Sequence, residues 1–151
     1  MTSVATHKYT RKVHFSETDA AGVVHFTCLP TYVEEAEHDY FRGCGVPPFE
    51  EGSGWPRIRL VIDYQSPCRF EDVIEITLEE FSATRSAISY RFVGKKLEPA
   101  SVQVFQGEMT ICYVRRTKEE SSTSAMQKVL FSPAEIPCPI LQALKISRKV
   151  N

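Results

Sequence analysis

Asp19 lies in the run His14-Phe15-Ser16-Glu17-Thr18-Asp19-Ala20-Ala21-Gly22-Val23-Val24-His25-Phe26, at the end of a strand-like segment and just ahead of an acid-rich helical pattern that begins at about Cys28. The first turn of a helix leaves backbone N–H groups pointing outward, and the helix dipole favours negative charge there. A carboxylate beside such a terminus pairs a base or nucleophile with an oxyanion site, which is what acyl-transfer chemistry needs. The same Thr-Asp-x-x-Gly stretch also reads as an ordinary turn, with Asp19 accepting a nearby backbone N–H and Gly22 taking a positive φ. Spacing alone leaves both readings open.

The elements that must hold these residues are legible from periodicity. Residues 7–16 favour a strand with Tyr9, Arg11, Val13 and Phe15 on one face. From about residue 28 to Arg42 the period changes: Leu29, Tyr32, Val33, Ala36 and Tyr40 recur at steps of three and four, which predicts an amphipathic helix with one buried stripe. Glu34, Glu35, Glu37 and Asp39 fall mostly on other faces and read as solvated. Pro30 is tolerable in the first turn, and Gly43, Gly45 and Pro47-Pro48 end the helix. Val46 to Pro56 reads as a loop.

Alternating strand patterns follow at 57–64, 74–79 and 88–92, and residues 101–116 read as one long strand near the middle of a sheet. Gly107 within it predicts close approach of another backbone or of the helix. Residues 117–125 are polar and unpatterned, an irregular excursion. Met126 to Phe131 reads as a last strand, Ser132-Pro133-Ala134-Glu135 as a helix start, and Pro139 to Lys145 as a short helix. One early helix followed by antiparallel strands defines an α+β domain whose sheet needs a cover.

A chain of 151 residues fits a single domain spanning 1–151. Formal net charge is −1, and no aromatic-rich basic stripe appears, so no nucleic-acid partner is expected. No stretch reaches the apolar length of a membrane span, and Met1 to Lys8 has no signal-peptide core. Cys28, Cys44, Cys68, Cys112 and Cys138 are dispersed without zinc spacing, so they read as free thiols in a reducing compartment and the expected location is the cytoplasm. Cys28 at a helix N-terminus could be an activated thiol, or a small apolar filler.

The run Asp19-Ala20-Ala21-Gly22-Val23-Val24-His25-Phe26, followed by Tyr32-Val33-Glu34-Glu35-Ala36-Glu37-His38, resembles the signature of the 4-hydroxybenzoyl-CoA thioesterase family of hotdog-fold acyl-CoA thioesterases. The resemblance implies a hotdog fold, a curved antiparallel sheet wrapped around one long central helix. It also implies acyl-CoA as substrate and a homodimer formed edge to edge or a homotetramer, which would hide strand edges. The catalytic role of the family's aspartate carries to Asp19, as nucleophile or as general base on water.

The implied substrate-binding and oxyanion residues are Gly22, Val23, Val24, His25, Phe26 and Thr27, with the backbone N–H groups near His25, Phe26 and Thr27 as donors. The segment after the third strand implies hydroxyl contacts from Thr84 and Ser86 across the dimer interface. For the CoA phosphates, Arg85, Arg115, Arg116 and Lys118 are the candidate cations, with Arg57 and Arg59 behind them. No metal or cofactor is implied; coenzyme A enters only as part of substrate and product. Cys28-Leu29 stands where many family members carry Asn-Tyr, a departure at the substrate-holding helix start. A hotdog hydratase or dehydratase using Asp19 with His25, and a non-catalytic acyl-CoA-binding hotdog protein, are the alternative readings.

Overall fold

The computed structural model describes residues 5–118 and 129–149. In chain order it builds strand β1 (His7–Lys12), helix α1 (Leu29–Gly43), a two-residue strand β2 (Ser53–Gly54), and strands β3 (Arg57–Tyr64), β4 (Val73–Ala83), β5 (Ala87–Lys96) and β6 (Val102–Cys112). Strands β7 (Val114–Lys118) and β8 (Val129–Pro133) and the short helix α2 (Cys138–Ala143) complete it. β1, β4, β5, β6 and β3 form one antiparallel sheet in that order, and β2, β7 and β8 form a second. This is the α+β hotdog fold, with α1 held by the curved main sheet.

The period-two pattern of β4 and β5 explains the packing. Ile74, Ile76 and Leu78 on β4 and Ile88, Tyr90 and Phe92 on β5 are buried, while their sequence neighbours point to the other face. Helix α1 lays Leu29, Tyr32, Val33, Ala36, Tyr40 and Phe41 into this core. Burying that stripe stabilises the fold by about 1.5–3 kcal/mol per large apolar side chain. Pro30 sits in the first turn, and the chain leaves the helix through Gly45 at φ +75°, with Val46 N–H bonded to the Phe41 carbonyl at 2.9 Å.

Gly107 shows why that position lacks a side chain. A Cβ there would lie 1.9 Å from the Val61 carbonyl oxygen and 2.7 Å from the Phe92 ring, so the close neighbour is the backbone of β3. β3 itself is an edge strand, and Ile58, Leu60, Val61 and Tyr64 on it are exposed.

Four expectations are corrected. The first strand ends at Lys12 rather than residue 16. Phe15 opens a 3-10 turn over Phe15–Glu17 and is 74% exposed, because the Glu17 carboxylate captures the His14 N–H and the Thr18 N–H closes onto the Phe15 carbonyl. The long strand over 101–116 breaks at Tyr113, whose ring packs 4.9 Å from Trp55 and whose amide bonds the Ser86 carbonyl. Beyond it the chain pairs with β2 and β8.

The helix start at Ser132 does not form. Ser132 and Pro133 belong to β8, and the amides of Ala134 and Ile136 bond the carbonyls of Tyr113 and Arg85, holding the segment out of helix until Pro137. The Val46–Pro56 loop contains β2. Most of the 117–125 excursion, and Met126 to Lys128 of the last strand, lie outside the described residues.

Candidate active site

The turn that carries Asp19 is fixed by its own backbone. Asp19 N–H bonds the Val23 carbonyl at 2.8 Å and Gly22 N–H bonds the Asp19 carbonyl at 2.9 Å. The side chain joins in: Oδ1 accepts the N–H groups of Ala21 at 2.8 Å and Val23 at 3.3 Å. Gly22 has φ +75°, a value an L side chain rarely takes, so the turn requires glycine. Both bonds fall on Oδ1, and the exposed carboxylate borders a cleft of about 370 Å³ lined by Val23, Phe26, Leu29, Tyr64 and Cys68.

Leu29 is the first residue of α1, so this cleft joins Asp19 to the helix start. The three anticipated donors there differ. His25 N–H is committed to the Glu17 carbonyl at 2.8 Å and cannot face a ligand. Thr27 N–H reaches the His25 Nδ1 only at 3.4 Å. Phe26 N–H has no hydrogen-bond partner among the described residues. The His25 ring is exposed, shares a 2.6 Å hydrogen bond with the Thr27 hydroxyl and packs 4.6 Å from the Phe26 ring. Val24 is largely a core residue, with its amide bonded to the Cys68 carbonyl. The Cys28 thiol donates to the Glu17 carbonyl at 3.7 Å, a structural contact.

Tyr64, unmarked in the sequence, closes the cleft from β3. Its hydroxyl donates to the Phe26 carbonyl at 3.2 Å, its ring meets Phe26 edge to face at 6.2 Å, and burial raises its pKa. Burial also pushes the Cys68 thiol up to about 11, with the Asp72 charge acting the same way, so that sulfur stays protonated near neutrality.

Glu17 is the second residue the sequence did not single out. Arg11 reaches its two oxygens at 2.6 and 2.7 Å, and Oε2 also accepts the Tyr32 hydroxyl at 2.7 Å and the His14 N–H at 2.8 Å. Arg11 reaches on to Glu35 at 2.8 Å and lies 3.8 Å over the Tyr32 ring. Burial alone would raise the Glu17 pKa, but the bonds from His14, Tyr32 and Arg11 outweigh it and hold the carboxyl below its ordinary value. The signal was present as an Arg and a Glu on flanks of one loop, but only tertiary contact with α1 completes the set.

The remaining candidates lie elsewhere on the chain. The loop that carries Asp19 is anchored at the Val73 end of β4, where Val13 N–H donates to the Asp72 carbonyl and Val24 N–H to the Cys68 carbonyl, whereas Thr84 and Ser86 form the hairpin at its Ala83 end. An eleven-residue strand separates them, roughly 30 Å at the usual strand rise. Thr84 uses its hydroxyl to accept the Ala87 N–H at 3.2 Å. Arg115 and Arg116 are exposed on β7, which Lys118 closes, near the same hairpin through the Tyr113–Ser86 bond. Arg85 projects from that hairpin close enough to Glu135 to help lower its pKa, after the larger effect of Arg148.

Within one chain, then, Thr84, Arg85, Ser86, Arg115 and Arg116 do not line the Asp19 cleft. Arg57 and Arg59 are taken up by ion pairs to Glu37 at 2.7 Å and Glu108 at 2.9 Å. Glu37, expected on a solvated face, is 1% exposed, and accepts Arg57 and the Tyr90 hydroxyl. Burial raises its pKa, against the pull of Arg57 and Tyr90. Among the described residues no cluster of three His, Cys, Asp or Glu side chains could hold a metal ion.

The thioesterase superfamily model matches residues 21–103, more than half of the chain, beginning just after Asp19. A protein of Aquifex aeolicus is 27% identical over 125 residues, covering 81% of this chain and 95% of the relative. A 1,4-dihydroxy-2-naphthoyl-CoA hydrolase of Synechococcus elongatus is 28% identical over 125 residues, covering 78% and 89%. Among solved structures, the 4-hydroxybenzoyl CoA thioesterase of Pseudomonas sp. strain CBS-3 superposes with TM-score 0.75 at 15% identity over 92% of this chain and 99% of that one. A 1,4-dihydroxy-2-naphthoyl-CoA thioesterase from Synechocystis gives TM-score 0.74 at 18% identity over 92% and 95%. These two likenesses establish the hotdog fold. With the family match, they make this chain a member of the thioesterase superfamily, a thioester hydrolase on the hotdog fold.

Proposed function

We propose that the chain hydrolyses an acyl-CoA thioester to a carboxylate and free coenzyme A, with Asp19 as the reacting carboxylate. One observation carries this reading: a single cleft is bordered by the exposed Asp19 and by the start of α1, where Phe26 N–H has no hydrogen-bond partner among the described residues. A thioester carbonyl seated there has a carboxylate on one side and a free amide to stabilise its developing oxyanion. As nucleophile, Asp19 bonds to the carbonyl carbon, the C–S bond breaks, the CoA thiolate leaves and takes a proton, and water hydrolyses the mixed anhydride. As general base, it takes the proton of the attacking water instead. The apolar lining from Val23, Phe26 and Leu29 suits an uncharged acyl group. Asp19 and the backbone amide supply this chemistry without metal or cofactor.

The working unit in this reading is a dimer built on β3. That edge offers unpaired backbone groups flanked by exposed Ile58, Leu60, Val61 and Tyr64, a surface that a second copy covers. Two-fold antiparallel pairing lays the Tyr64 end of one β3 against the Arg57 end of the other. It thereby brings the second copy's Thr84–Ser86 hairpin and its Arg85, Arg115 and Arg116 toward Asp19, hydroxyls for the thioester arm and cations for the phosphates. The free cysteines fit a cytoplasmic location.

The test is thiol release from aryl, short-chain and long-chain acyl-CoAs, followed with a thiol-reactive dye. Asp19→Asn is expected to abolish turnover while leaving the circular dichroism and oligomer intact. Turnover equal to the parent chain would remove Asp19 from the reaction. Mass analysis of a quenched single turnover separates the two roles, since an acyl adduct on the Asp19 peptide forms only in the nucleophilic route.

A further inference from the structure

Both halves of the proposed site are tied to one residue. The Glu17 side chain is gripped by β1 through Arg11, by the His14 amide and by α1 through the Tyr32 hydroxyl, all at 2.6–2.8 Å. The Glu17 carbonyl, at the same time, accepts His25 N–H at 2.8 Å and the Cys28 thiol at 3.7 Å, the residues that flank Phe26 and Thr27 at the helix start. Asp19 follows two positions later in the chain, and its turn is closed by bonds internal to residues 19–23. Arg11 is 8% exposed and spans Glu17 and Glu35 with its two terminal nitrogens, so the clamp runs without a gap from sheet to loop to helix.

We propose that Glu17 is the positioning residue of this site, setting the separation between the Asp19 carboxylate and the Phe26 amide through its side-chain clamp and its carbonyl together. It touches no reacting atom. This rests on the reading of Asp19 as the reacting carboxylate. The energetic logic is that reaction requires the carboxylate and the oxyanion donor to flank one carbonyl carbon, and a displacement of about 1 Å far from the chemistry can cost on the order of 10²-fold in rate. Glu17 is engaged by Arg11 and does not line the cleft, so Asp19 is the carboxylate the loop presents there.

Three variants test it: Glu17→Ala, the near-isosteric Glu17→Gln, and Tyr32→Phe, which deletes one hydroxyl from a buried ring of unchanged shape. Each is measured for kcat and KM by thiol release, and for amide hydrogen exchange at single residues. The expected result is a kcat loss on the order of 10²-fold for Glu17→Ala and about tenfold or less for Glu17→Gln and Tyr32→Phe, with KM within about twofold. Exchange should quicken at Ala21, Val23 and His25 while the β4–β5 amides keep their protection.

Unchanged exchange at those three amides, or a kcat that falls only in step with the folded fraction and with quickened exchange throughout β4 and β5, overturns the proposal. Should Glu17→Ala fail to fold, the Gln and Phe variants decide by the same criteria. If Asp19→Asn turns over normally, the Asp19 reading fails whatever Glu17 does. If Asp19→Asn is dead and the Glu17 and Tyr32 variants match the parent chain, the positioning proposal alone fails.

Discussion

Two carboxylates two positions apart, Glu17 and Asp19, meet different surroundings, which suit them to the two roles proposed for them. Glu17 is half-buried and saturated with donors, while Asp19 is exposed and receives its two backbone bonds on a single oxygen. The low pKa of Glu17 fixes the pH dependence of its clamp. A carboxyl held below its ordinary value in the folded chain contributes stability above the unfolded value of 4.5 and loses it as pH falls through the folded value. Thermal melts of the parent and Glu17→Gln chains should therefore differ most at neutral pH and converge as the pH drops below about 4.5, the unfolded value. A gap that widened on acidification would contradict the assignment of Glu17 as the ionised partner of Arg11.

At the scale of elements, α1 is held to the sheet by an acid as well as by its apolar stripe. Glu37 is buried against β5 and β3, paired with Tyr90 and Arg57. Arg57→Ala would leave that carboxylate with the Tyr90 hydroxyl but no cation, which costs roughly 3 kcal/mol where a buried pair is broken. Burial already raises the Glu37 pKa, and Arg57 opposes it. The loss should thus be largest above the carboxylate range and shrink at low pH, where Glu37 is protonated whether folded or not and the bond from Arg57 to the Trp55 carbonyl is what remains to lose. Urea denaturation of Arg57→Ala at two pH values measures this.

Glu37 also shows the limit of periodicity. Leu29, Tyr32, Val33, Ala36 and Tyr40 were legible as the buried stripe because nothing competes with apolar burial at those steps, and all five are buried. Glu37 follows Val33 by four and precedes Tyr40 by three and so shares that stripe, but a partner on a strand twenty residues away decides whether an acid is tolerated there. Likewise Asp19, Gly22 and the helix start were legible from local chemistry, whereas Glu17 and Tyr64 acquire their places only when β1 and β3 fold against α1. The break at Tyr113 had no local marker because the unbroken apolar run Ile111-Cys112-Tyr113-Val114 passes through it; tertiary packing against Trp55 turns the strand.

Across the whole molecule, the cleft and the basic hairpin occupy opposite ends of one sheet, and their separation follows from the antiparallel order β1-β4-β5-β6-β3. In the proposed dimer the exposed edge of β3 brings unlike ends of two chains together, and the proposed site would then be a property of the pair. Damage to the two ends should then complement. A chain carrying Asp19→Asn and another carrying Arg115→Ala with Arg116→Ala are each expected to be poor enzymes alone. Unfolded together at equal amounts and refolded, half of the pairs would be hybrids with one intact and one doubly damaged site, restoring about a quarter of the parent rate if subunits mix at random. A mixture that performs no better than the average of its components would place both ends of each site on one polypeptide.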